Sequence, residues 1–300
     1  MTSQPQLPRR STLPAALLAA AAIFLAPGAA RAVDLDAGDL VAAPEGATVG
    51  LVYYQHAQRS TMYAKGNQTL GNAQLTSDVS ILRAVHYLSL GGIVAAPQVL
   101  VPGGSLRAGG NLDGLGKASG VGDVILAMPG WLVNDATAGR YFVVVPYLWL
   151  PVGQYDASKA LNLGENRWKG ALQAGASTRF LEVLAVDAIA DVTFYASNTR
   201  FGPAHQTLKQ DPQFQLQGYL SYLWSSTARL ALGLSYIGGG ATSVDGVSQG
   251  DAAGTLKGGI TAAFWLDGKN QLLFTAGRDL AVRNGLAEDF RFNFRVLHVF

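Results

Sequence analysis

The chain has 300 residues, 36 of them glycine; 14% are charged and none is cysteine. A disulfide framework and a thiolate metal site are thereby excluded, and much glycine with little charge fits an all-β chain better than a helical one. The formal net charge of +2 carries no case for nucleic acid, because Arg9, Arg10 and Arg31 lie in a leader whose removal leaves 19 basic against 20 acidic residues.

Residues 1–32 read as a cleaved, Sec-type signal peptide. Arg9 and Arg10 open it, Leu13 to Leu25 form an apolar run, and Ala30-Arg31-Ala32 offers small residues at the cleavage site. The run is shorter than the roughly 20 residues of a spanning helix, so a membrane anchor is disfavoured. Cleavage is expected after Ala32. Residues 33–45 follow as an acidic lead-in (DLDAGD) without periodicity, expected in the periplasm.

From 46 to 300 the chain reads as strands: 46–56, 73–89, 91–101, 121–133, 139–150, 170–181, 183–196, 211–224, 226–239, 254–266, 269–280 and 289–300. Nearly all reach the roughly 9–11 residues that a tilted transmembrane strand needs. The connections alternate. Long ones are expected at 57–72, 102–120, 151–169, 197–210, 240–253 and 281–288, and short ones near 89–92, 134–138, 181–182, 224–226 and 267–270. Long outer loops with short periplasmic turns are the pattern of outer-membrane barrels. No later segment is a continuous apolar span, so a membrane crossing would require a closed barrel, whose backbone polar groups all pair.

Face assignment agrees in the second half. Phe214, Leu216, Leu220 and Tyr222 share one parity against Gln213, Gln215, Gln217 and Ser221. Leu230, Leu232 and Leu234 likewise oppose Arg229, Gly233 and Ser235. The first half is less regular: 141–150 is apolar on both faces, and Arg83 falls on the parity expected to meet lipid. Such an arginine would cost roughly 2–4 kcal/mol at mid-bilayer, which suggests a bulge or an interfacial position. The last stretch, DFRFNFRVLHVF, puts Phe290, Phe292, Phe294, Val296 and Phe300 on one face and Arg291 and Arg295 on the other. A terminal Phe300 resembles the assembly signal of outer-membrane proteins, and so implies the barrel-assembly machinery and outer-membrane lipid as partners.

Three central motifs carry a wider resemblance. They are Gly120-Val121-Gly122-Asp123, Pro151-Val152-Gly153-Gln154-Tyr155-Asp156 and Leu161-Asn162-Leu163-Gly164-Glu165-Asn166-Arg167-Trp168. In this order the chain resembles the meta-pathway phenol-degradation (MetA-pathway) family of outer-membrane β-barrel proteins, over about 46–300. The resemblance implies a channel or transporter for small hydrophobic or aromatic solutes, linked to aromatic (phenol) degradation. It does not imply a degrading enzyme. The alanine-rich fourth strand departs from the family pattern and leaves the solute unassigned.

No catalytic or metal-binding pattern competes. His56, His86, His205 and His298 form no spaced ligand pair, and there is no nucleophile elbow. No cofactor is expected. Inward charges expected along a solute pathway are Asp123, Arg179, Asp187, Asp191, Arg229, Lys257, Arg291 and Arg295, either setting up a transverse field or forming lumen salt bridges. A constriction loop is expected from Tyr155, Asp156, Asn162, Glu165, Asn166, Arg167 and Trp168, with a packed surface loop as the plain alternative. The fold expected is a closed antiparallel transmembrane barrel of about 12 strands. The competing function is a structural or surface-interaction barrel with a plugged lumen, and an enzyme ranks third.

Overall fold

A computed structural model describes residues 34–300; the leader lies outside them. The period-two patterning closes into a barrel of twelve antiparallel strands. These are β1 (Thr48–Ala64), β2 (Ala73–His86), β3 (Gln98–Gly110) and β4, a broken strand made of Lys117–Val121, Val124–Ala127 and Gly130–Asp135. There follow β5 (Arg140–Leu150), β6 (Lys169–Leu181), β7 (Leu184–Tyr195) and β8 (Gln213–Leu223). The last are β9 (Ala228–Gly239), β10 (Ala253–Trp265), β11 (Asn270–Val282) and β12 (Gly285–Val299). Each strand pairs with the next, and β12 pairs with β1 from Val49↔Val299 to Tyr63↔Gly285, so no edge remains.

The outer surface is apolar. Val52, Leu82, Leu126, Leu172, Leu216, Leu232, Leu234 and Ile260 are all exposed there, as a lipid-facing wall requires. Among the described residues no helix is long and apolar enough to cross a membrane.

Several boundaries differ from the sequence reading. The third strand is Gln98–Gly110, not 91–101, because Leu88–Leu90 and Ile93–Ala95 pair as a short hairpin, whose second arm joins β4 at Gly130 and Trp131. Its glycines read as loop, yet Gly104 belongs in the strand: a Cβ there would lie 2.1 Å from the Asp78 carbonyl oxygen. The loops expected at 57–72, 102–120 and 281–288 are mostly strand, and only Arg283 and Asn284 separate β11 from β12. Genuinely long outer connections remain at 151–168, 196–212 and 240–252. The last two share a four-stranded sheet made from Asn198–Phe201, Gln206–Gln210, Thr242–Val244 and Val247–Ser248.

One face assignment and one location are corrected. Arg83 points into the barrel, where its guanidinium donates to Gln98 Oε1 (2.6 Å) and Tyr53 Oη (2.9 Å). Its parity misled because the inner wall of β1 to β5 is itself largely apolar: Val49, Leu51, Val85, Leu100, Ile125, Trp131, Val143, Val145 and Trp149 are buried there. The lead-in is the second correction. Instead of lying in the periplasm, 34–43 runs up inside the barrel, with Leu35, Ala37 and Leu40 buried.

Candidate functional site in the lumen

The inserted N-terminal segment is held by charge on one side and by packing on the other. Arg295 Nη1 contacts Asp39 Oδ1 at 2.7 Å and Asp36 Oδ2 at 3.3 Å, and Arg291 Nη1 meets Asp34 Oδ2 at 2.9 Å. The Gly38 amide donates to Asp187 Oδ2 (2.9 Å), and Tyr219 Oη donates to the Leu35 carbonyl (2.6 Å). On the opposite wall Trp131 Nε1 donates to the Leu40 carbonyl at 2.8 Å. Gly38 has φ +89°, and a Cβ there would meet the Arg229 guanidinium at 2.0 Å. The segment therefore needs glycine at this point.

Lys257 and Arg59 are also paired with carboxylates, whereas Arg179 donates to the Thr137 carbonyl. Lys257 Nζ lies 3.2 Å from Glu288 Oε2 and 3.9 Å from Asp279 Oδ1, and Arg59 also bonds Glu288. Asp187 and Asp191 stand on β7 and Asp123 in the break of β4, all buried. Arg229 and Arg179 lie near the periplasmic end, where they line a vestibule of about 740 Å³ beneath the segment. The expected separation of acids and bases into arcs exists only along the strands. Glu288 and Asp279 face Lys257 and Arg59, and Glu288 with the three lead-in aspartates faces Arg291 and Arg295, so Lys257, Arg291 and Arg295 stand in salt bridges.

The second inserted element is the loop 151–168. Both carboxylate oxygens of Asp123 accept from it, Oδ1 from the Gly153 amide (2.9 Å) and Oδ2 from the Glu165 amide (2.8 Å). Gly153 and Gly164 pack so closely here that a Cβ on Gly153 would come within 2.6 Å of the Asp123 amide. Leu161 and Leu163 then reach across the outer mouth to Leu75, Leu106 and Leu286. Glu165 binds Arg167 (2.7 Å) and Lys169 (2.5 Å). Burial opposes ionisation of Glu165, but Lys169 and Arg167 beside it outweigh that and hold its carboxyl down to about 2. Asn166 joins Asn198, and Asn162 folds back on the Asp156 backbone. Tyr155 and Asp156 sit at the rim, Tyr155 donating to the Arg200 carbonyl. Trp168 is the exception: it is 51% exposed on the outer wall and lines no constriction.

At the chain end Phe300 is exposed, with its amide donating to the Thr48 carbonyl (2.9 Å). Sequence reasoning missed one pair entirely: His56 Nδ1 lies 2.8 Å from Asp78 Oδ1, on the outer face across β1 and β2. The other ring nitrogen meets Gln58 Nε2 at 3.0 Å, not a hydroxyl, and Tyr54 also donates to Asp78. Among the described residues no group of three potential metal ligands is found.

Comparison with known proteins matches residues 59–296 to the family described as "Putative MetA-pathway of phenol degradation". The chain belongs to this family. The crystal structure of the COG4313 outer membrane channel from Pseudomonas putida F1 superposes with a TM-score of 0.86 at 39% identity, over 89% of this chain and 100% of that one. The beta domain of the Bordetella autotransporter Brka superposes at 0.51 with 12% identity, over 86% and 100% of the two chains, a likeness of fold alone. Curated protein sequences gave no match. This MetA-pathway member is thus an outer-membrane β-barrel of the channel type. The family match begins at Arg59, so the inserted segment 34–43 lies outside it.

Proposed function

We propose that this protein passes small hydrophobic or aromatic solutes, phenol-like ones foremost, across the outer membrane without catalysis. The observation that carries this reading is the two-faced lumen. One arc of the inner wall is apolar and aromatic, with Tyr87 and Trp131 rings 5.7 Å apart and Tyr147 and Trp149 rings 5.9 Å apart. The other arc presents Asp191, Thr193, Gln215, Gln217 and Ser221. A ring bearing one polar group matches both arcs at once. The description of the family supports the same class of solute. The leader fits Sec export, and Phe300 on the closing strand fits recognition by the barrel-assembly machinery.

The His56–Asp78 pair meets the distance expected of a catalytic His–Asp pair, but it stands on the lipid-facing wall with Gln58 on its second ring nitrogen, and we read it as a structural contact of that wall. A plugged structural barrel is the second reading, favoured by the two segments that fill the lumen. Flux into liposomes separates the two. Protein-dependent entry of phenol-like aromatics over sugars of similar size, after subtraction of empty liposomes, is expected. No flux of any solute through a folded barrel would refute the channel and leave the plugged barrel.

A further inference from the structure

The lumen surface best suited to an aromatic ring is already occupied. Leu40 is 1% exposed and sits in a niche against Gly175, where a Cβ would lie 2.5 Å from Leu40 Cδ2. Trp131, Val143, Val145 and Tyr147 enclose the same place, with a residual cavity of about 20 Å³. The Leu40 carbonyl supplies the acceptor that Trp131 Nε1–H needs. Leu40 thus presents an apolar group and an adjacent oxygen, which is what a hydroxylated aromatic ring also presents.

The segment can leave without dismantling the barrel. Its backbone bonds from 34 to 43 are its own turns, Asp39 N–H to the Asp36 carbonyl and Val41 N–H to the Gly38 carbonyl. None joins a strand ladder, so every contact with the wall involves a side chain. Release would strand the buried Trp131 donor and separate Arg291 and Arg295 from the aspartates of the segment. A ligand that brings its own oxygen removes the first of these costs, and a plain hydrocarbon removes neither. Beneath the segment, the vestibule leads to the periplasmic end.

We propose that the Leu40 niche is a binding site for monocyclic phenols and that the segment 34–43 is its internal occupant, which the solute displaces on its way through. This rests on the channel reading above. The oxygen of the solute takes the place of the Leu40 carbonyl at Trp131, and its ring takes the place of the leucine side chain beside Gly175.

The chain contains no cysteine, which makes a clean lock available. Leu40 Cγ, where a cysteine sulfur at that position would sit, lies 3.4 Å from a Cβ at position 175, near the roughly 3 Å from Cβ to the far sulfur in a disulfide. In L40C/G175C the segment is tied to the wall when oxidised and free when reduced. The probe is 4-hydroxybenzoate, a phenol whose charge slows its passage through bare lipid. Its entry into proteoliposomes should fall about tenfold or more on oxidation, as the competent state is depleted, and recover on reduction. Equal entry in both states overturns the proposal while leaving the channel reading intact. No entry through the wild-type barrel defeats the channel reading itself. Should the double variant not fold, hydrogen exchange of 34–43 in the wild-type barrel decides. Exchange that rises with phenol supports displacement, and exchange unchanged at saturating phenol overturns it.

Discussion

Replacing Arg295 with alanine should free the N-terminal segment. The guanidinium is 4% exposed and bonds Asp39, Asp36 and Gln271, at 2.7, 3.3 and 2.8 Å. Its loss leaves two carboxylates facing each other in the lumen, their side chains only 13% and 16% exposed. Removing one partner of a buried ion pair costs about 3–5 kcal/mol. The residual water access of both aspartates argues for the lower end, about 3 kcal/mol, which is roughly a hundredfold in the docking equilibrium. Amide exchange of 35–41 in detergent or nanodiscs at pH 7 reads this directly, and should accelerate by about that factor. Neutralising the partners as well, in R295M/D36N/D39N, should recover most of the protection, because the cost lies in the orphaned charges. Unchanged exchange in R295A would show that the ion pairs do not hold the segment and that packing of Leu35 and Leu40 does.

Other outcomes follow from the same geometry. Glu165→Gln should loosen 151–168 and expose it to proteolysis, since Arg167 and Lys169 lose their shared carboxylate. Because the Glu165 carboxyl is held down to about 2, its contribution is complete above its ordinary pKa near 4.5. It is lost only as pH falls from there toward about 2, so protease resistance of the loop should hold from pH 7 to 5 and fail near pH 3. Leu232→Arg, in the lipid-facing wall and 60% exposed, should destabilise the refolded barrel by roughly 2–4 kcal/mol in denaturant titrations in liposomes. Deleting Phe300 should cut the yield of assembled barrel in the outer membrane, read by heat-modifiable gel migration, while the purified protein still refolds in detergent.

The strand count and the closing seam were legible because lipid outside and polar groups inside impose a strict period of two, and β7 to β12 obey it. Phe290, Phe292 and Phe294 against Arg291 and Arg295 is the plainest instance. Legibility failed where the inner wall is apolar too. With Val143 and Val145 buried inside and Phe142 and Leu148 exposed outside, alternation vanishes, and Arg83 was assigned to the wrong face. The loop 151–168 could be expected to fold inward from its amide, carboxylate and guanidinium, but nothing local revealed that Asp123 anchors it from 30 and 42 residues away. The lead-in offered one unused signal. Asp34, Asp36 and Asp39 are spaced to meet bases, and the inward face of the last strand carries two guanidiniums in need of acids. Matching the charges of the two chain ends would have placed the segment in the lumen.

The contacts between Arg295 and the lead-in join residues 256 and 259 apart in sequence, and they bear on how the barrel is built. The strand that carries Arg291 and Arg295 is the one that seals the seam with β1. Sealing with the segment outside would leave Arg295 without a carboxylate and Arg291 with Glu288 alone. Sealing with it inside satisfies them at the same moment. Closure of the seam and threading of the segment are therefore energetically coupled, because the same ion pairs reward both.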